Sequence, residues 1–236
     1  MTTHPAYNRT DTIRTHAYKI LFLSLTTLMF AGPVFVELQI GQLVHGMTLM
    51  ATLAAAMYGV GNSRFERRLI LMLGIMAAIS FWVHQLGAAT SMTALPDHLS
   101  SVIFYGYVTY ILLRDIISGG SHVSTELIAG AIAVYLLLGV LFASLFGVLH
   151  TLDAGSFSGV VEGSGSPAAR FYYFSMVTLT TLGYGDIVPL KDTARGLSTL
   201  EAFLGQVYLT VIVARLVGMH ISDSLTTKAP VMDQAE

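Results

Sequence analysis

Long apolar stretches, separated by short charged segments, run along almost the whole chain. A bilayer crossing needs about 20 predominantly apolar residues, and charged residues mark where such a crossing ends. Five stretches hold no charged residue: 20–36, 38–63, 69–96, 98–113 and 127–152. A sixth, 196–221, is interrupted only by Glu201 and Arg215. The pattern predicts six membrane-spanning helices, and a further apolar stretch, 171–185, is long enough only for a half-crossing.

The first apolar stretch has a second interpretation, because basic residues precede it. A basic start followed by an apolar core is also the pattern of a cleaved signal peptide. No small-residue cleavage pattern follows the stretch, and Pro33 stands where cleavage would occur. We therefore expect an uncleaved first span.

Composition supports the membrane assignment. The chain has 236 residues, of which 54% are hydrophobic and 11% charged, and its mean hydropathy is +0.68. Soluble domains carry about 25% charged residues, and a chain of this size could not bury so much apolar surface in water. The net charge of -2, without a basic run, argues against nucleic acid as a partner. The absence of cysteine excludes disulfide, iron–sulfur and thiol chemistry.

The distribution of basic residues predicts the orientation, because lysine and arginine accumulate on the cytoplasmic side. If the six spans alternate, nine of the twelve lysines and arginines fall on one face: Arg9, Arg14, Lys19, Arg64, Arg67, Arg68, Arg114, Arg215 and Lys228. We therefore expect a protein of the cell (inner) membrane with both termini in the cytoplasm. The segment between the fifth and sixth spans then approaches the bilayer from outside.

That segment contains the sequence TLTTLGYGDIVP at residues 178–189. Ser166 and Pro167 are a favourable N-cap and first helical residue, so residues 168–180 are predicted to form a short helix that dips into the membrane. The chain then has to return as non-helical backbone, which survives at that depth only if it is buried in protein or lines water. Gly183 and Gly185 can adopt positive φ and so orient successive carbonyls. An ordinary turn is the alternative.

The pattern T-x-T-T-x-G-Y-G-D closely resembles the selectivity filter of potassium channels, over a pore unit of residues 126–222. The resemblance implies that the carbonyls of Thr181, Leu182, Gly183 and Tyr184, with the Thr181 hydroxyl, bind dehydrated K⁺, and that Gly185 completes the filter. It also implies filter support from Tyr173, Thr178, Thr180 and Asp186. One filter segment cannot surround an ion, so a homotetramer is implied. Aromatic residues 171–174 occupy the place of the family's aromatic cuff, with Tyr173 as the expected hydrogen-bond partner of Asp186.

The sequence departs from the family at several positions. Leu182 replaces the more common valine or isoleucine, Val177 stands where some members have a carboxylate, and Tyr-Phe at 173–174 replaces Trp-Trp. These changes leave filter rigidity and inactivation open. The resemblance also implies a gating hinge at Gly205, twenty residues after Gly185, with simple helix packing as the alternative. Glu201 either pairs behind the filter or reaches the membrane interface.

Six spans with the pore after the fifth raise the question of a voltage sensor. A steep sensor moves three or four charges per subunit across the field. The fourth stretch offers only Arg114, next to Asp115, and the second and third stretches hold no acidic residue. Steep voltage gating is therefore not expected. The part after residue 221 is expected to be too short for a ligand-binding domain, and the histidine spacing does not suggest a metal site.

We therefore predict an all-α membrane protein with six transmembrane helices, a re-entrant pore helix and a filter loop. The predicted parts are an N-terminus (1–18), a four-helix domain (19–118), a pore domain (126–221) and a tail (222–236). The expected function is passive K⁺ conduction by a homotetramer in lipid, without a cofactor and without enzymatic activity. A weakly selective monovalent cation channel is the alternative. A membrane sensory module or enzyme is a third interpretation, but no paired catalytic residues appear in the spans.

Overall fold

A computed structural model describes residues 18–27, 29, 41–59, 63–86, 90–118, 125–160 and 167–228. Seven helices account for most of these residues. Residues 18–27 are helical and are named α1. The others are α2 (Gly41–Gly59), α3 (Arg64–Leu86), α4 (Ser91–Ser118), α5 (Thr125–Leu152), α6 (Pro167–Leu179) and α7 (Asp192–Lys228). A 3-10 turn (Ala154–Ser156) and two strands, β1 (Phe157–Ser158) and β2 (Val188–Pro189), complete the described structure.

Four helices are long and apolar enough to cross a bilayer, namely Arg64–Leu86, Met92–Ser118, Leu127–Leu152 and Asp192–Met219. They correspond to the third to sixth predicted spans and confirm a multi-pass membrane protein. The helix α2 has 19 residues, and residues 28 and 30–36 of the first predicted span lie outside the described residues. The count of six spans therefore stays a prediction.

Two predicted span boundaries are wrong. The helix α3 ends at Leu86, and Pro96, predicted to close the third span, lies inside α4. The fourth span therefore begins earlier than residue 98. The reason is that residues 90–96 are uncharged, so the absence of charge could not reveal where one helix ended and the next began. The last helix continues to Lys228, so the first seven residues of the predicted tail are helical.

The start of α3 is set by a capping box. The Glu66 amide donates to Ser63 Oγ (3.0 Å), and the Ser63 amide faces Glu66 Oε2 (3.4 Å), so two of the unpaired amides at the helix start are satisfied. Glu66 Oε1 also accepts a hydrogen bond from Arg114 Nη1 at the end of α4 (2.7 Å). The third span therefore does contain an acidic countercharge, contrary to the prediction, because α3 begins five residues before the charge-free stretch.

The main apolar core lies among α1 to α5 and includes part of α6 and α7. Leu21 and Leu25 of α1 are buried in it, and the Tyr18 hydroxyl donates to the carboxylate of Asp115 in α4. The ring of His98 in α4 lies directly against the α5 backbone, since a Cβ on Gly147 would come within 2.6 Å of it. The four-helix part and the pore part are thus packed through α4 and α5.

A second, aromatic core surrounds α6 on the side of α5. Phe146 contacts Phe174 and Phe157, with ring centroids 4.9 Å and 5.5 Å apart. Phe157 also contacts Phe171 (5.3 Å). Aromatic pairs at these distances stabilise a core beyond the burial of their area. The helix α6 is therefore packed against α5 and β1 through Phe171 and Phe174.

The segment after α5 is rich in small and polar residues, which is typical of an exposed loop, but two of its residues are buried. Ser156 and Phe157 are 3% and 5% exposed. The strands β1 and β2 pair antiparallel, and the Leu190 amide donates to the Ser156 carbonyl (2.9 Å). Gly159 has φ +79°, and a Cβ there would lie 1.8 Å from the Asp186 carbonyl oxygen. The outer loop is thus packed onto the backbone that follows the predicted filter.

Asp153 organises the exposed turn before β1. Its Oδ1 accepts the Gly155 amide (2.9 Å), and its Oδ2 lies 3.4 Å from Lys191 Nζ. The Gly155 hydrogen bond, followed by Lys191, lowers the pKa of Asp153 below its usual value. The turn is therefore retained at neutral pH and weakens only as pH falls through that lowered pKa.

The helix α7 has 37 residues and would be about 56 Å long at 1.5 Å per residue, well beyond a hydrocarbon core of about 30 Å. Its buried residues recur every three or four positions, which gives one packing face: Ala194, Ser198, Glu201, Gly205, Tyr208 and Ile212. This face contacts α5 and α6. Glu201 thus lies in the centre of a packing face whose other residues are of uncharged types.

Candidate functional site

The short helix predicted for residues 168–180 is confirmed as α6, with 13 residues and ends within one residue of the prediction. Its C-terminus closes in a Schellman motif. The Leu182 amide donates to the Val177 carbonyl (2.9 Å) and the Thr181 amide to the Thr178 carbonyl (2.9 Å). The Gly183 amide also faces the Val177 carbonyl (3.3 Å). Three successive amides of the candidate filter are therefore tied back to the helix.

This arrangement determines where the carbonyls point. The described chain has no cis peptide bond, and in a trans peptide the N–H and the preceding C=O point in opposite directions. With the amides of residues 181–183 directed at α6, the carbonyls of Thr180, Thr181 and Leu182 are directed away from it. These three carbonyls are hydrogen-bond acceptors that point away from α6.

Positive φ recurs at every second residue of this segment: Thr181 (+59°), Gly183 (+58°) and Gly185 (+79°). Positive φ at every second residue prevents another turn of right-handed helix, because that helix needs negative φ at each residue. The glycines adopt this conformation without a Cβ penalty. An added Cβ at Gly183 or Gly185 would meet nothing within 4 Å in the chain, so conformation and not space requires glycine here.

Thr181 is the conformational outlier of the site. A Schellman motif usually has glycine at this position, and a β-branched residue at positive φ is strained. Strain of this kind persists where a side chain has a function that glycine cannot supply. The neighbouring Thr180 hydroxyl is occupied, since it donates to the Met176 carbonyl (2.6 Å). The strain therefore points to Thr181 as the hydroxyl with a role beyond local folding.

The segment from Thr181 to Asp186 lies exposed on the surface of the single chain. Leu182 is 54% and Tyr184 is 69% exposed, although both are large apolar or aromatic side chains. Thr178 lies half-buried in the last turn of α6. The structure thus brings the predicted filter residues together in one exposed surface segment.

Tyr173 Oη donates a hydrogen bond to Asp186 Oδ2 (2.8 Å), which is the pairing expected from the sequence. It connects the pore helix to the backbone just past the filter. Of the four predicted cuff aromatics, Phe171 and Phe174 instead fill the aromatic core on the other side of α6. For these two residues the expectation does not hold within the chain, because α6 presents successive residues to different sides.

We expect Tyr173→Phe to destabilise the filter without unfolding the pore helix. The variant loses one hydrogen bond to a carboxylate, and because the pair is exposed, the cost is about 1 kcal/mol, or about fivefold in an equilibrium. In planar bilayers the variant should lose current faster than wild type during sustained activity. Tyr110→Phe, which removes a hydroxyl from an exposed face of α4, is the matched control and should leave the decay unchanged.

Gly205 lies against the end of the pore helix. A Cβ at this position would come within 2.7 Å of the Leu179 carbonyl oxygen and 2.9 Å of Leu179 Cδ1. The same carbonyl accepts a hydrogen bond from Tyr135 Oη of α5 (3.1 Å), and Tyr135 stacks on Tyr208 of α7 at 6.0 Å. Close packing therefore accounts for the glycine. The predicted hinge role stays a prediction.

One contact behind the filter was not predicted as a site. Ser175 Oγ of α6 lies 2.7 Å from the Gly139 carbonyl of α5 and is hydrogen-bonded to Glu201 Oε1 of α7. The sequence left open whether Glu201 pairs behind the filter, and the structure places it there. Ser175 carried no sequence signal, because a serine in a short helix is unremarkable in itself. Among the described residues, no group of three or more His, Asp or Glu side chains could hold a metal ion.

The similarity to known proteins includes the predicted pore part of the chain. Residues 130–221 match a protein family described as "Ion channel". Two similar proteins of Oryza sativa subsp. japonica are Two pore potassium channel a (29% identity over 109 residues, 46% of this chain and 27% of the relative) and Two pore potassium channel b (33% over 92 residues, 39% and 24%). Two-pore potassium channel 4 of Arabidopsis thaliana is 41% identical over 51 residues, 22% of this chain and 18% of its own.

The chain thus spans about a quarter of the length of the rice relatives it matches. No solved structure is significantly similar to it. Residues 130–221 are thus similar to an ion channel family, and the resemblance to potassium channels lies in this part of the chain. The match to a family described as "Ion channel" agrees with the prediction of a channel for this part of the chain.

Proposed function

We propose that the chain is one subunit of a K⁺-selective channel that conducts passively through a filter formed by Thr181, Leu182, Gly183, Tyr184 and Gly185. The observation that carries the proposal is the backbone of this segment. Positive φ alternates along it, and its first three amides are tied back to α6. Carbonyls freed in this way can replace the hydration shell of a monovalent cation. The similarity to proteins named as potassium channels supports K⁺ as that cation.

The proposed assembly is a homotetramer. The sequence contains one TLGYGD segment, and one row of carbonyls cannot enclose an ion. Closed rotational symmetry would bring four such rows around a common axis. The exposure of Leu182 and Tyr184 supports this, because large apolar side chains on a surface segment are expected where another subunit covers them.

The proposed topology has both termini on the cytoplasmic side of the cell membrane. The proposed parts are an N-terminus (1–18), a four-helix domain (19–118), the pore domain (126–221) and a tail (222–236). The ion pair between Glu66 and Arg114 supports the orientation, because it brings the beginning of α3 and the end of α4 to the same face, as antiparallel spans require. That face carries the basic residues expected inside.

We propose that gating is not steeply voltage-dependent. Arg114 is the arginine available in α4, and it is paired with Glu66. If the two move together, they carry no net charge across the field, whereas a steep sensor needs three or four charges per subunit. The stimulus then has to act by another route.

The test is ion flux from liposomes that contain the purified full-length chain. We expect K⁺ efflux to exceed Na⁺ efflux at least about tenfold, which corresponds to about 1.4 kcal/mol of discrimination, and Ba²⁺ to block it. Liposomes without protein are the control. Absence of flux for both ions at every pH would contradict the proposed function.

A weakly selective cation channel is the second candidate, and Leu182 is the observation that favours it. Leucine lacks the β-branch that stiffens the backbone, and here it is exposed within the filter segment. Reversal potentials with K⁺ on one side and Na⁺ on the other distinguish the two. Equal permeabilities that become K⁺-selective in Leu182→Val would establish the second candidate.

A further inference from the structure

A carboxyl group lies fully buried behind the candidate filter, where three helices meet. Glu201 stands in the middle of the packing face of α7 and has no exposed surface. Its Oε1 is bonded to Ser175 Oγ of the pore helix, and the same Oγ is 2.7 Å from the Gly139 carbonyl of α5. The helices α5, α6 and α7 are thus joined through the hydroxyl of Ser175.

Counting hydrogens shows what this geometry requires. A serine hydroxyl has a single hydrogen to donate, a backbone carbonyl can only accept, and an ionised carboxylate can only accept. If Ser175 donates to Gly139, a carboxylate at Glu201 would face Oγ with no hydrogen between them. If Ser175 donates to Glu201, the Gly139 oxygen is left against Oγ without one. Both contacts are hydrogen bonds only when Glu201 itself carries a proton and donates it to Ser175.

The surroundings favour the neutral acid. Glu201 Oε2 is buried and has no hydrogen-bond partner among the described residues, and an unpaired oxygen is tolerated far better on a neutral group than on a charged one. Residues 196–214 of α7 and 128–149 of α5 include no lysine, arginine or histidine. The titratable group that faces Glu201 from α5 is Tyr135, and α6 contributes Arg170 at its start and Tyr172 one turn before Ser175.

We propose that Glu201 is a positioning residue that, in its protonated form, anchors the pore helix through Ser175 and thereby makes conduction depend on pH. This inference rests on the proposed K⁺ conduction. Ser175 lies two residues before Val177, whose carbonyl holds the amides of Leu182 and Gly183. Loss of the Glu201 proton places a charge in a buried seam and removes the donor to Ser175. The pore helix then shifts, and with it the filter.

The direction of the pH dependence follows because, in this proposal, the protonated state is the one that conducts. Conduction is full at low pH and is lost as pH rises through the titration of Glu201. Each pH unit above the midpoint lowers the protonated fraction about tenfold. We therefore expect wild-type K⁺ flux to fall at least about tenfold somewhere between about pH 6 and about pH 10.

The decisive variant is Glu201→Gln, measured by K⁺ flux in liposomes over that pH range. The glutamine amide can donate to Ser175 Oγ as the protonated acid does, so flux should persist at high pH. Asp192→Asn removes an exposed carboxylate from the same helix and should retain the wild-type fall. Tyr135→Phe removes the titratable group that faces Glu201 from α5, and this variant should also retain the fall in flux with rising pH.

The outcomes separate this inference from the proposed function. A wild-type flux that does not change with pH, or a fall that persists unchanged in Glu201→Gln, overturns the role of Glu201 and leaves K⁺ conduction intact. If Glu201→Gln fails to assemble, infrared difference spectra of the wild type decide. The carbonyl stretch of a buried carboxylic acid should disappear as pH rises in parallel with flux, and its absence at low pH overturns the inference.

Discussion

Replacing Gly183 with alanine is expected to abolish K⁺ flux while the chain still inserts and folds. Gly183 has φ +58°, a conformation that costs an L-residue about 1–2 kcal/mol, or about 4–8 kcal/mol across four subunits. The filter backbone can relieve this strain only by rotating the peptide, which turns a carbonyl away from the ion. K⁺ efflux from liposomes and the elution position of the assembly in detergent are the measurements.

The structure offers a matched control for this experiment. A Cβ on Gly183 meets nothing within 4 Å in the chain, so the strain lies in the backbone angle. D-Alanine introduced at the same position by chemical ligation prefers positive φ, and flux should be restored. Wild-type flux in the L-alanine protein would show that the backbone of residue 183 does not need its positive φ. Loss with both enantiomers would instead indicate that a neighbouring subunit leaves no room.

The second large effect is expected for Gly205→Ala. In an ordinary helix this change is stabilising by about 0.5–1 kcal/mol, because glycine has more freedom to lose on folding. Here the new Cβ would lie 2.7 Å from the Leu179 carbonyl oxygen, and overpacking of this kind costs about 1–3 kcal/mol per subunit. Leu179 ends the helix that positions the filter, so the shift reaches the ion path. We expect a lower melting temperature of the assembly and a K⁺ flux reduced at least about tenfold.

Gly196→Ala is the control for that variant, because it lies on the same helix and an added Cβ there has open space. It should leave flux unchanged and stability equal or slightly raised. The experiment also distinguishes packing from hinge bending. A Gly205→Ala protein with wild-type stability but altered open probability would support the hinge and contradict the packing role.

The pore part could be predicted from the sequence because its elements depend on local chemistry. Pro167 starts α6, and the glycines at 183 and 185 provide the positive φ that the returning chain needs. Span boundaries were less predictable, because a charge-free connection looks like a continued helix. The capping box of Ser63 and Glu66 was visible in the sequence, but the charge criterion placed it outside the membrane helices.

What the sequence could not predict depends on contacts between distant residues. The strands β1 and β2 have two residues each, too few for an alternating pattern to indicate pairing. Ser175 and Glu201 are 26 positions apart and meet only because α6 packs between α5 and α7. The close approach of Gly205 to Leu179 is likewise a tertiary fact, so the sequence could suggest a special glycine without distinguishing bending from packing.

In the proposed channel, the pairing of β1 with β2 links the loop after α5 to the backbone just past the filter. Residues 157–158 pair with residues 188–189, and Gly159 lies against the carbonyl of Asp186, which directly follows the last filter glycine. We therefore expect a displacement of this loop to reach the end of the proposed filter. We expect an antibody fragment or peptide that binds this loop to change the K⁺ current without entering the pore.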